Sequence, residues 1–170
     1  MYLTILRNER LPLATIKSFP PLQAVLEAWE RAAGQRLPPR LDPAEIPRKL
    51  LPLVLIYDLE EPAGLLRVRL AGTVACDRHG AELRGLTPAD FFSHADAALV
   101  EEDLRTVLAE GRPALVFREC ELGQERLWRY AQVALPLSSN GDKPDRILAV
   151  TDPLAPDEEF AARFIAKPTD

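Results

Sequence analysis

The chain has 170 residues and a mass of 18.9 kDa, with 47% hydrophobic and 28% charged side chains. That is enough for one domain with a sizeable core, and it lies outside collagen-like and disordered compositions. A formal charge of -5 and a pI of about 5.2 provide no net positive field for a phosphate backbone or an anionic bilayer, which argues against nucleic-acid and membrane partners. Cys76 and Cys120 form no disulfide framework, Arg7, Glu9 and Arg10 interrupt any apolar leader core, and no stretch is long enough to span a bilayer. These features predict a cytoplasmic protein.

Residues 1–17 show no steady periodicity and read as an N-terminal arm. Pro20 and Pro21 then suit a first helical turn. Leu22, Val25, Leu26, Trp29, Ala32 and Ala33 recur at helical spacing until Gly34 stops the run, so an amphipathic helix flanks whatever follows. Two adjacent prolines make residues 35–41 an extended connector. Asp42-Pro43-Ala44-Glu45 has the form of a capping box with proline at the first helical position, and Pro47 and Pro52 keep that helix short.

From Leu53 to Leu59 the chain is nearly continuously apolar. A Glu60-Glu61-Pro62-Ala63-Gly64 turn leads into residues 65–71, where Leu66, Val68 and Leu70 alternate with Arg67 and Arg69. Residues 73–111 collect helix signals, including Thr87-Pro88-Ala89-Asp90 and Ser93-His94-Ala95-Asp96. The last helix there places Leu99, Val100, Leu104, Val107 and Leu108 on one face and ends at Gly111. Strands return at 114–122, 126–137 and 146–152, with turns at Gly123-Gln124 and Asn140-Gly141. The order of two strands, several helices and three strands predicts an α+β fold whose antiparallel sheet carries its helices on one face. Residues 153–170 read as a polar tail with Phe160, Phe164 and Ile165 on one helical stripe.

That order resembles the PAS family, and several segments support it. They are Gly80-Ala81-Glu82-Leu83-Arg84-Gly85 after the early helices, Trp128-Arg129-Tyr130 leading to Leu135-Pro136-Leu137, and the closing Val150-Thr151-Asp152. The Asp42-Pro43-Ala44-Glu45-Ile46-Pro47 opening, Leu51-Pro52 and Gly72-Thr73 are similar to a bacterial subfamily of short stand-alone PAS proteins. The resemblance covers about residues 36–152. It implies a five-stranded sheet in the order 2-1-5-4-3, a small-ligand cavity, and a sensory or interaction role in signal transduction. Residues 1–35 are then an arm and flanking helix, 36–152 the PAS-like domain, and 153–170 the tail.

Candidate cavity residues are Cys76, His79, Leu104, Trp128 and Tyr130. Cys76 and His79 share a helix face, and Trp128 and Tyr130 share a strand face with Gln132. The spacing does not decide whether that strand face or the one with Ala131, Val133 and Leu135 lines the cavity. A metal site would need more ligands than Cys76 and His79 provide, and a buried thiol beside an imidazole is the simpler reading. Resemblance to haem-binding or flavin-binding PAS proteins would require a histidine within 97–110 or an Asn-Cys-Arg-Phe-Leu-Gln segment, and the sequence has neither. No cofactor and no metal are expected. With no nucleophile elbow, P-loop or zinc-protease helix, no enzyme activity is expected either. The alternative is a small α+β enzyme or carrier acting on a small molecule in the same cavity.

Arg67, Arg69, Arg118, Arg126 and Arg129 read as solvated strand positions paired with Glu119, Glu121 and Glu125. The stripe of Leu22, Val25, Leu26 and Trp29 either packs on the protein's own sheet or meets a second copy across a two-fold axis. The second reading makes it a homodimer or partner interface for other regulatory proteins.

Overall fold

The computed structural model describes residues 2–123 and 126–154. Its centre is a six-stranded sheet built from β1 (Thr4–Leu11), β2 (Val54–Glu60), β3 (Leu65–Ala71), β4 (Ala114–Leu122), β5 (Arg126–Leu137) and β6 (Arg146–Pro153). The order is β1-β4-β5-β6-β2-β3, and every neighbouring pair is antiparallel. Without β1, and read from the other edge, this is the 2-1-5-4-3 order expected from the sequence. The five expected strands stand within a residue of their expected bounds.

β1 corrects the reading of residues 1–17 as an arm. Its register against β4 shifts between Ile5 and Arg7, a bulge that leaves Leu6 as the extra residue. A 3-10 turn, Leu13–Ser18, then carries the chain across the sheet. Helix α1 (Pro20–Ala33) begins with its two prolines where free backbone donors are not needed, and it ends at Gly34 with φ 51°.

α1 buries Leu22, Val25, Leu26 and Trp29 against one sheet face. Leu115, Phe117, Ala131, Val133, Leu135, Leu148 and Val150 complete that core. The Trp29 indole N–H donates to the Pro136 carbonyl at 2.9 Å. The stripe expected as a dimer or partner interface is therefore consumed inside the chain. Its apolar area finds a complementary sheet surface within reach of a short connector, which leaves none of it for a partner.

The opposite face carries α2 (Thr73–His79), α3 (Pro88–Phe91) and α4 (His94–Glu110). α3 starts with the expected reciprocal capping box of Thr87 and Asp90. α4 uses only half of its own: the Ser93 hydroxyl accepts from the Asp96 N–H at 3.2 Å, while the Asp96 carboxylate turns away to accept the Ile5 N–H at 3.1 Å. β3 runs into α2 through Gly72, where a Cβ would stand 2.2 Å from the Pro52 carbonyl oxygen, so only glycine permits that approach. The outer edge of β3 is covered by the segment before α3, with Val68 N–H donating to Leu86 O and Gly85 N–H to Val68 O, both at 2.8 Å.

Candidate functional site

Because side chains alternate along a strand, β5 sends Trp128, Tyr130 and Gln132 to the α2–α4 face and Ala131, Val133 and Leu135 to the α1 face. The first set lines a cavity of about 20 Å³, closed by Tyr57 of β2, His79 of α2, Phe92, Val100 of α4, Arg118 of β4 and Thr151 of β6. A volume of that size holds about one water.

Arg118 dominates the electrostatics. It is 2% exposed and donates in three directions: Nε to Asn8 Oδ1 at 2.8 Å, Nη1 to Gln132 Oε1 at 3.0 Å and Nη2 to Asp103 Oδ2 at 2.9 Å. Asn8 donates in turn to Asp103 at 3.1 Å, and Gln132 to the Thr151 hydroxyl at 2.9 Å. One guanidinium on β4 thus joins β1, β5 and α4, and Gln132 extends the network to β6. Burial opposes its charge, yet Tyr130 and Asp103 beside it hold it above its usual range. Burial also raises the phenols of Tyr57 and Tyr130 far above the ordinary value, so both remain neutral hydroxyls. The Cys120 thiol, 4.0 Å from the Tyr130 hydroxyl, is pushed up to about 12, chiefly by burial.

Arg118 corrects its reading as a solvated strand position. Its i±2 neighbours on β4 are Val116 and Cys120, both buried, and this apolar row was the signal that it faces inward. Arg129 pairs with the expected Glu119, whereas Arg67 pairs with Glu60 and Arg69 reaches Asp58 at 3.3 Å.

Two polar atoms at the cavity have no hydrogen-bond partner: Nδ1 of His79 and Nε1 of Trp128. His79 packs edge-on against Phe91 and Phe92, with ring centroids 5.0 and 4.9 Å away, and burial lowers it to about 4. It is therefore a neutral imidazole at physiological pH. Trp128 lies 4.3 Å from the Tyr130 ring centroid, and the Arg78 guanidinium covers it at 5.1 Å. His79 also lines a surface cleft of about 600 Å³ with Tyr2, Asp77, Arg78 and Arg126, so it stands between the interior and the surface.

Of the expected cavity residues, His79, Trp128 and Tyr130 converge on this space. Leu104 belongs to the same core without lining the cavity. Cys76 packs at the margin of that core, its thiol 3.6 Å from Glu82 and raised by burial first and by the Glu82 and Asp77 carboxylates as well. Among the described residues, no group of three or more His, Cys, Asp or Glu side chains is placed to hold a metal ion. His94 is exposed at the start of α4.

The PAS-domain family model matches residues 17–151. No curated protein sequence matches the chain. Among solved structures, the chain is similar to a LOV protein of Rhodobacter sphaeroides at 18% identity and a TM-score of 0.48, over 62% of this chain and 61% of that one. It is similar also to an RsLOV d2 variant at 15% identity and a TM-score of 0.46, over 82% and 69%. The alignment thus spans less than two thirds of the first of these proteins. No described helix is long and apolar enough to cross a membrane. With the family match extending over most of its length and the strand order in agreement, the chain belongs to the PAS-domain family.

Proposed function

We propose that this protein is a sensory and interaction module of bacterial signal transduction, which responds to a small ligand held between the sheet and α2–α4 and acts through contacts with other regulatory proteins. The observation that carries this reading is the polar interior around Arg118, with the unpaired Trp128 Nε1 and His79 Nδ1 beside a small cavity. A core selected only for stability has no reason to retain such groups, because each unmade hydrogen bond costs about 1–3 kcal/mol. A ligand with one acceptor and one donor satisfies both atoms. A ligand larger than water requires the walls to move, and His79, shared with the surface cleft, is the side chain placed to move first. Any such movement reaches β1 and α4 through Arg118, which is a physical route from ligand to surface.

The alternative reading as an enzyme or carrier would need a polar cavity with His79 or His94 beside a carboxylate. The interior cavity has no Asp or Glu in its lining, which favours the sensory reading there, while in the surface cleft His79 stands with Asp77. Native mass spectrometry of the purified protein, followed by denaturation to release any retained compound, tests it. A bound small molecule whose retention falls in the Trp128→Phe and His79→Phe variants is the expected result. A protein that retains nothing, and whose Trp128 fluorescence is unchanged across a library of small polar compounds, overturns the ligand-sensing part.

A further inference from the structure

The two edges of the sheet are not equivalent. β3 is covered by the Gly85-Leu86 segment. β1 has Phe92 bridged to Leu3 and Asp96 on the Ile5 N–H, but beyond Leu6 its outer side has no backbone partner among the described residues. An open edge strand is a template for another strand. The exposed side chain of Leu6, at 52%, stands at the start of this free stretch.

We infer that the free edge of β1 pairs antiparallel with β1 of a second copy, across a two-fold axis through Asn8. The sequence of the edge selects this occupant. In an antiparallel pair centred on Asn8, Arg7 falls opposite Glu9 of the second copy and Glu9 opposite its Arg7, so both cross-strand pairs are of opposite charge. The same patch used twice is the arrangement that an isologous dimer requires. Within one chain Arg7 and Glu9 lie only 3.9 Å apart on the same side of the strand and are 38% and 33% exposed, so both are available to a partner. Asn8 itself is fixed by Arg118 and Asp103, which connects this edge directly to the cavity. The pairing rests on the edge alone and stands whether or not a ligand is sensed.

Charge reversal tests it without touching the core. Sedimentation equilibrium of the wild type should show a dimer. Arg7→Glu and Glu9→Arg should each raise the dimer dissociation constant about tenfold or more, since each replaces two attractive cross-strand pairs by two repulsive ones. The double variant R7E/E9R should recover wild-type association. An equimolar mixture of the two single variants should form the heterodimer selectively by native mass spectrometry, because every pair across that interface is again complementary. Circular dichroism spectra matching the wild type confirm that each variant is folded. A wild type that remains monomeric at high concentration, a dimer insensitive to both single reversals, or a double variant that fails to recover association overturns the inference.

Discussion

The two faces of the sheet solve the same problem in opposite ways. Under α1 the core is almost wholly apolar, with Leu22, Val25, Phe117, Val133 and Leu135 at or near zero exposure, and the Trp29–Pro136 bond ties off the one polar group of the helix stripe. Under α2–α4 an equally buried region holds Arg118, Gln132, Thr151 and two phenols, with two polar atoms unpaired. Burial of apolar area stabilises without needing directional partners, whereas a buried ion pair gains little over an apolar replacement and loses much if one member is removed. The dry face is therefore the anchor. The polar face is where the sequence gives up stability for a defined arrangement.

The sharpest way to break this contrast is Arg118→Met. The substitution leaves Asp103, Asn8 and Gln132 without their common donor and should lower the unfolding free energy by about 3–5 kcal/mol in chemical denaturation. A loss below about 1 kcal/mol would show the polar network to be dispensable.

The next effect is pH dependence. His79 titrates near 4 in the folded protein against about 6.5 when unfolded, so the unfolded chain binds more protons between those values. Its contribution is fully present above pH 6.5 and is lost as the pH falls towards 4, with up to about 3 kcal/mol at stake. Urea midpoints measured across that window should fall with acid, and His79→Phe should flatten the slope. Equal slopes in the two proteins would mean that His79 is not buried as described.

The smallest effect belongs to the dry face. Trp29→Phe keeps most of the apolar volume but leaves the Pro136 carbonyl without its donor, for a loss of about 1–2 kcal/mol by thermal or chemical unfolding. The same substitution should leave the Trp128 fluorescence environment unchanged. A shift in that emission would join two cores that the sheet keeps apart.

The sequence patterns were informative in proportion to how regular the chain is. β2–β6 were legible because apolar runs or alternation bounded by turn residues mark them, and α1 because its prolines, stripe and terminal glycine agree. β1 was illegible for a specific reason: the bulge at Leu6 shifts the parity, so Leu3 and Ile5 share a face with Asn8 rather than with Arg7. Arg118 was misread because charge usually means solvent on a strand, and its compensation by Asn8 and Asp103 comes from residues far away in sequence. The α1 stripe has two possible destinations in the sequence, since periodicity shows that a face is buried without showing what buries it. His79, Trp128 and Tyr130 stand on one side of the sheet, and their helix and strand faces are readable from spacing, but spacing alone leaves open which strand face lines the cavity. The stripe of Phe160, Phe164 and Ile165, the glutamine of the Gly123-Gln124 turn and Glu125 lie outside the described residues.

β1 lies outside the matched family segment, which starts at residue 17, yet its Asn8 bonds a side chain 110 positions later. During synthesis β1 emerges before the other strands of the sheet and must wait for β4 to receive it. Closing so long a loop costs conformational entropy, which slows the pairing of β1 with β4. In the interval the 17–151 unit has to hold together around an Arg118 that still lacks one of its partners, and the waiting strand is free to find the wrong neighbour. The strand that closes over the longest stretch of chain is thus the one that gives Arg118 its Asn8 partner, so the polar core is complete only once β1 and β4 have paired.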